Sequence, residues 1–344
     1  MKARVCRLYG MNDLRIDEVA VPLPDRGEVP VKLAAGGICG SDLHYFLEGG
    51  FGHIRVREPI ILGHEASGII VEAGPGTALE PGTRVALNPS RPCGKCRFCA
   101  AAVPQHCLDM RFNGSAMRMP HEQGFFRDHI VVPASQCLPL PPETALSVAA
   151  CAEPLAVCLH AVAQAPALEG KAVLVTGSGP IGVLCAALAR RAGAAQVVVT
   201  DLHDFPLRVA RQMGAQETVN VSADPGAMTR FEAEKGSFDV TFECSAAAPA
   251  LRNAIMCTRP RGTIVQVGVT GDLAVPINLL VGKEIRLVGT HRFHAEFAQA
   301  AGLLVAGSID VVPMLTGSFP LAEAAAAFAQ AADRRSAVKV QITF

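Results

Sequence analysis

The stretch that most restricts how this chain can fold is residues 171–201. KAVLVTG is continuously apolar up to its glycine, and GSGPIG then sets Gly177, Gly179 and Gly182 at G-x-G-x-x-G spacing. A helical run from Pro180 to about Ala192 follows, then a second apolar run, QVVVTD, closed by Asp201, 24 positions past Gly177. Apolar runs without alternation are buried on both faces, as strands inside a parallel sheet are. Between such a strand and a helix each glycine has a task. Gly177 permits the tight turn, Gly179 lets backbone approach a pyrophosphate, and Gly182 lets helix close on strand. Pro180 and Ile181 open a helix whose free N–H groups and dipole favour phosphate. Asp201 is placed to accept hydrogen bonds from ribose hydroxyls and to repel an extra ribose phosphate, so NAD is expected over NADP; Arg208, close by, softens that preference. Leu202 and Val267 complete the cofactor-binding positions expected in this part of the chain.

The same texture continues through FPLRVARQMGA, FDVTFECS, GTIVQVG and EIRLVGT, which predicts an α/β unit with a doubly wound parallel sheet. Before residue 150 the pattern differs. Short β segments (ARVCRL, VPVKLAAGG, GIIVEAG, TRVAL, DHIVVP) alternate with Gly/Pro turn clusters such as EAGPGTALEPGT. After residue 290 come two helical segments and a last strand, AVKVQITF. A chain of 344 residues is long for one core. The expected division is a β-rich domain over 1–155, to which 291–344 returns, and a dinucleotide-binding domain over 156–290. Lysine plus arginine and aspartate plus glutamate balance at 31 each, without a long charged run, which argues against a nucleic-acid partner. The charged start, MKARVCRLYGMNDLRID, is unlike a signal peptide, and the apolar stretches are broken by Glu153, His160 or glycines. The expectation is a cytoplasmic protein with no membrane span.

Twelve cysteines in a reducing compartment suit metal binding or packing better than disulfides. Cys6, Cys137, Cys151, Cys158, Cys185, Cys244 and Cys257 lie among apolar or small residues and read as core thiols. Cys93, Cys96, Cys99 and Cys107 have the spacing C-x2-C-x2-C-x7-C, which suits a closed tetrahedral zinc site, with an iron–sulfur cluster or a redox dithiol as alternatives and His106 as a neighbour. Cys39 lies in GGICGSDLH, His64 and Glu65 in ILGHEASG, and Glu153 in CAEPLA. One thiolate, one imidazole and one or two carboxylates with a vacancy make up a catalytic zinc site.

Together these motifs resemble the zinc-dependent medium-chain alcohol and polyol dehydrogenases over essentially the full length. The likeness rests on CGSDLH (39–44), GHEASGIIVEAG (63–74), the four-cysteine lobe, AEPLAV (152–157), GSGPIG (177–182) and the terminal strand after Ala-rich helices. GGICGSDLHY, AEPLAV and HRF (291–293) are similar to the polyol branch. NPSRPCGKCRFC (88–99), DMRFNGSAMRMPH (109–121) and EKGSFDVTFE (234–243) are similar to its members that oxidise a sugar acid. The resemblance implies a GroES-like β-rich catalytic domain beside a Rossmann domain. It also implies two zinc ions per subunit: a catalytic one on Cys39 and His64 with Glu65 or Glu153, and a structural one on Cys93, Cys96, Cys99 and Cys107. Ser41 would take the alcohol proton and His44 would relay it through the cofactor ribose. Tyr45 and Phe112 would wall the substrate, and Arg292 would reach both cofactor and substrate. The substrate carboxylate would fall to Arg111, Arg118 or Arg292. The implied reaction is hydride transfer from the C5 hydroxyl of L-idonate to NAD, giving 5-keto-D-gluconate, with neutral polyols (sorbitol, xylitol) as the alternative substrates. The family is dimeric or tetrameric, so a homo-oligomer is expected. A zinc-binding interaction module without catalysis would account for the lobe, but not for Cys39, His64 and Asp201 together.

Overall fold

The computed structural model describes residues 2–269 and 271–344. The chain opens with an antiparallel hairpin of β1 (Lys2–Gly10) and β2 (Asp13–Ala20), turning at Asn12 with φ +59°. β3 (Glu28–Gly37) follows and leads directly into helix α1 (Gly40–Glu48). The N-cap of α1 is Cys39, and Asp42 reaches back to accept its backbone N–H at 3.0 Å, so the helix start is held by its own third residue. β4 (Glu65–Ile70), β5 (Arg84–Leu87), β6 (His129–Pro133) and β7 (Cys137–Leu140) are the longer strands of the rest of this β-rich part, with two-residue strands between them. β3 and β4 pair antiparallel with Gly37 opposite Glu65. A Cβ on Gly37 would lie 2.0 Å from Glu65 Oε2, so only glycine lets that carboxylate lie flat against β3. This register brings Cys39, just past the end of β3, beside His64, just before the start of β4.

Helix α2 (Ala152–Ala163) marks the change of texture. The parallel sheet then builds from β8 (Ala172–Thr176), α3 (Pro180–Arg191), β9 (Gln196–Asp201), α4 (Asp204–Gln212), β10 (Glu217–Asn220), β11 (Phe238–Glu243), α5 (Ala248–Cys257), β12 (Thr258–Gln266), α6 (Ile277–Lys283) and β13 (Arg286–Gly289). Its order is β10-β9-β8-β11-β12-β13. The chain reverses direction across the sheet between β8 and β11, and a crevice forms outside the carboxyl ends of the strands at such a point. Val173 and Val175 of β8, Val183 and Leu184 of α3, Leu155 and Cys158 of α2, and Phe242 of β11 fill the largest core, all fully inaccessible. The segment Leu146–Ala163, which ends with α2, is as long and apolar as a membrane span, but most of it is buried here, its first turn on β3 and β4 and α2 on α3, with Glu153 in its midst.

After β13 the chain crosses back. α7 (Glu296–Val305) packs on α2; β14 (Leu315–Pro320), α8 (Ala324–Ala332) and β15 (Lys339–Thr343) follow. β15 enters the first sheet between β3 and β14, antiparallel to the former and parallel to the latter, giving the order β7-β5-β4-β3-β15-β14 with β6 also on β3. A second core of Leu8, Ile60, Leu62, Phe126, Phe328 and Ile342 forms around it. Two elements carry signals that hide them in the sequence. β14 (LTGSFP) holds a glycine and a proline, tolerable on an edge strand, and α1 is short and starts among glycines.

The turn between β8 and α3 is the tightest point of the parallel sheet. Gly177 has φ +85°, and a Cβ on Gly182 would stand 1.8 Å from the Gly177 carbonyl oxygen. Gly182→Val is therefore expected to lower stability by about 1–3 kcal/mol, read as a fall in the urea midpoint at unchanged slope. An unaltered midpoint would mean that helix and turn are not closed on each other there.

Candidate active site

Four elements converge at the crevice: the start of α1, the loop before β4, the first turn of α2 and the loop after β13. The cleft, about 400 Å³, is lined by Ser41 and Tyr45 of α1, His64, Phe112, Glu153 of α2 and Arg292. Val267, just past β12, faces it from the parallel sheet. The donor atoms of Cys39, His64 and Glu65 lie within 4.8 Å of one another. Asp42, wholly inaccessible, organises them. It accepts from Cys39 N–H and, at 3.2 Å, from Gly63 N–H, and its Oδ1 stands 3.7 Å from His64 Nδ1. A carboxylate behind a ligating imidazole fixes its ring orientation and leaves the other nitrogen free to bind.

Both carboxylates of the expected metal set are buried, but they face different partners. Glu65 is clamped by Lys339 of β15, whose Nζ stands 2.8 and 2.7 Å from its two oxygens and also donates to Ile38 O at 3.0 Å. Burial pulls the Lys339 ammonium down, but the groups around it, Glu65 foremost and then Cys39, together more than offset this and keep it charged. Glu153 has no such clamp. Burial pushes its carboxyl up to about 7, against the pull of His64. A soft thiolate, an imidazole and a carboxylate, with a second carboxyl facing an open cleft, fit a zinc site that keeps a position free.

The remaining expected substrate residues separate into two groups. Tyr45 is buried, and its hydroxyl accepts from Ala116 N–H at 3.2 Å. Phe112 lies against His64 with ring centroids 5.6 Å apart, and the Arg292 guanidinium rests 4.2 Å over its face. Arg292 holds φ +53° and also contacts Met117 Sδ at 2.7 Å, so its side chain is aimed along the cleft wall. Arg118 and Arg111 do not line this cleft. Arg118 is bound to Asp109 and faces Glu122, and Arg111 is 3.3 Å from the same Glu122. His44 is on the outer side of α1, 42% exposed, with Nδ1 3.0 Å from Glu48 Oε1, and is not among the residues lining the cleft.

At the glycine turn, Gly179 is the N-cap of α3, with Pro180 and Ile181 in the first turn. Asp201 at the end of β9 is tied to that turn: Ser178 N–H and Oγ donate to its Oδ2 at 2.7 and 2.9 Å, and Leu202 and His203 N–H donate to Oδ1. Leu202 itself is largely exposed. Glu243, fully buried at the end of β11, accepts from Thr176, Ser245, Ala246 and Gln266 and so knits together the turns that floor this side of the crevice.

The four cysteines of the lobe stand as a cluster with all sulfurs within 4.8 Å of one another. Cys96 Sγ is 3.6 Å from Cys99 Sγ and 3.9 Å from Cys107 Sγ. The edge of a tetrahedron with Zn–S bonds of ~2.3 Å is about 3.8 Å, so the spacing suits zinc and is far too long for a disulfide. Backbone N–H groups point at the sulfurs, those of Cys93 and Asp109 at Cys107 Sγ, and the N–H of Leu108 draws the Cys96 thiol down to about 6. His106 lies outside this cluster and stacks on His291, next to Arg292, which joins the lobe to the cleft wall.

Lys339, Asp42 and Glu243 were not evident from the sequence as members of the site. A lone charge in the terminal strand KVQIT was the available signal for the first, since a strand entering a sheet interior has no solvent to give its charge.

Comparison with known proteins agrees with this geometry. The Alcohol dehydrogenase GroES-like domain matches residues 25–142, and Zinc-binding dehydrogenase matches residues 180–306. L-idonate 5-dehydrogenase (NAD(P)(+)) of Escherichia coli K12 is 40% identical, covering 100% of this chain and 99% of its own, and its crystal structure superposes with a TM-score of 0.95. Sorbitol dehydrogenase of Gallus gallus is 34% identical over 97% of this chain and 94% of its own. A zinc-binding dehydrogenase of Sinorhizobium meliloti 1021, solved with NADP bound, is 29% identical over the whole of both chains, with a TM-score of 0.91. The chain belongs to the zinc-binding alcohol dehydrogenases, which join a GroES-like domain to a Rossmann-like one.

Proposed function

We propose that this protein is a zinc-dependent oxidoreductase that passes a hydride from C5 of L-idonate to NAD, giving 5-keto-D-gluconate. What supports the reading is one cleft lined by His64, Glu153, a hydroxyl (Ser41) and a single arginine (Arg292), with the Cys39 and Glu65 donors grouped around His64 and Val267 of the nucleotide-side sheet lining the same cleft. The name and the full-length similarity of the E. coli relative point to the same substrate. Cys39, His64 and Glu65 would hold the catalytic zinc, and Glu153 would stand on its open side. Bound zinc would supply acidity to an alcohol oxygen. Ser41, on the first turn of α1, is positioned to accept the hydroxyl proton. His44, paired with Glu48 at the water-facing side of the same helix, would hand it to solvent. Tyr45 and Phe112 exclude water from the reacting face. Arg292 is the assigned partner for the substrate carboxylate, because Arg111 and Arg118 are already engaged by Glu122 and Asp109.

Gly177, Gly179, Pro180, Ile181 and Gly182 would seat the pyrophosphate, Asp201 the ribose, and Leu202, Val267 and Arg292 the flanks of the cofactor. A carboxylate fixed at the ribose edge favours NAD; the E. coli relative is named for use of both NAD and NADP. The second zinc would be held by Cys93, Cys96, Cys99 and Cys107. Similarity to sorbitol dehydrogenase keeps neutral polyols as the second reading, since a guanidinium also binds hydroxyls. The twelve free thiols suit a reducing cytoplasm. A homo-oligomer is supported by the parallel sheet's edge. Among the described residues β13 pairs only with β12, and Val281 (71% exposed) and Ile277 (60%) lie on α6, just before it in the chain.

Prolonged dialysis against a chelator is expected to abolish NAD reduction and to lower thermal stability, because the cysteine lobe loses its centre. Full activity in metal-free protein, checked by elemental analysis, would refute the mechanism. Arg292→Ala should raise KM for L-idonate by at least about tenfold, the worth of one charge-assisted contact, and should affect sorbitol less. Equal losses on both would move the assignment to hydroxyl recognition and the neutral polyols. Val281→Glu should shift the species seen by light scattering toward monomer; an unchanged mass would place any interface elsewhere.

A further inference from the structure

The residues expected to seat the cofactor phosphates all lie on the parallel-sheet side of the crevice. The structure adds one from the other side. The segment after α8, Asp333–Ser336, is a rigid turn. Ser336 Oγ donates to Asp333 Oδ2 at 2.7 Å, Arg335 N–H donates to Oδ1, and the N–H groups of Ser336 and Ala337 both donate to the Asp333 carbonyl. This turn aims Arg334 across the crevice at the glycine loop. A Cβ on Gly179 would lie 2.1 Å from Arg334 Nη2 and 3.2 Å from its Cζ, so the guanidinium occupies the very space that a side chain at Gly179 would need. The second glycine of the fingerprint thus makes room for an arginine as well as for a ligand.

That placement sets two positive groups side by side at the mouth of the glycine turn. Gly179 caps the N-terminus of α3, a helix of 12 residues whose positive dipole end carries no side-chain cap. Arg334 adds a full positive charge at the same spot. Among the described residues it has no carboxylate partner, and Asp333 is taken up by its own turn. Cation and helix end repel each other unless an anion lies between them. An anion there would meet helix N–H groups on one side and a planar, fork-shaped donor on the other.

We propose that Arg334 is a cofactor-binding residue that closes over the pyrophosphate of the dinucleotide from the opposite side of the crevice. The proposal deepens the cofactor reading given above and rests on it. Arg334 belongs to the part of the chain that returns to the first sheet, five residues ahead of Lys339, so cofactor phosphates would be gripped by both halves of the molecule at once. Arg334 acts on binding; it touches no reacting atom.

The test is equilibrium binding to the full-length protein, using NADH, NADPH, ADP-ribose and adenosine as probes, for wild type, Arg334→Ala and Arg334→Lys. The side chain is exposed, so both variants should fold, as a thermal melt would verify. Arg334→Ala is expected to raise Kd for NADH, NADPH and ADP-ribose by a similar factor of about 10, with adenosine unchanged. Arg334→Lys should recover part of the loss, and raised salt should narrow the gap to wild type. At saturating NAD, kcat should change by less than about twofold while KM for NAD rises. Unchanged Kd for NADH and ADP-ribose in Arg334→Ala, with wild type binding normally, would overturn the assignment alone. A loss confined to NADPH would overturn it in favour of contact with the ribose phosphate. Wild-type protein that binds no NADH would overturn both this assignment and the cofactor reading beneath it.

Discussion

The ion pair between Lys339 and Glu65 is the contact on which the geometry of the site turns. Each side chain is 1% exposed, and the ammonium reaches both carboxylate oxygens and a backbone carbonyl. Burying two charges brings no certain gain in stability, but removing one partner strands the other, at a cost of about 3–5 kcal/mol. The pair therefore specifies position more than it adds strength. It locks β15 into the middle of the first sheet and sets Glu65 against Gly37, beside Cys39 and His64. A divalent ion would meet a site whose negative charge is held to what its electrophilic role tolerates.

From that fixed point the cleft is assembled by surfaces of different origin. The β-rich part supplies thiol, imidazole and hydroxyl from α1 and the loop before β4. The parallel sheet supplies the glycine turn and Asp201, bound to each other through Ser178. α2 supplies Glu153 from its first turn, and the loop after β13 supplies Arg292, laid on Phe112. The lobe of four cysteines is distant in role but not in contact, since the stacking of His106 on His291 ties its order to that of the loop bearing Arg292.

Much of this was legible in the sequence, and the reasons are local. Buried parallel strands read as unbroken apolar runs, and the glycines between β8 and α3 sit where backbone geometry leaves no other choice. Four cysteines at short spacing announce a cluster because few other arrangements use them. What was not legible depends on distant pairing. Nothing near Lys339 in the sequence says that it meets Glu65, 274 positions away. Arg111, Arg118 and Arg292 were all candidates for a substrate acid, and only the fold shows that Glu122 and Asp109 claim the first two. β14 stayed hidden because an edge strand tolerates the glycine and proline that usually end one.

The place of β15 has a consequence for how such a chain comes into being. A strand made of residues 339–343 lies inside the sheet that begins at residue 28, so that sheet waits until more than 300 further residues have been made. The parallel unit, whose contacts lie within a continuous stretch, can settle while translation is still under way. The half that carries the chemistry is then born open, its thiols and carboxylates unassembled, and becomes competent only once strand 339–343 has cleared the ribosome and slotted in.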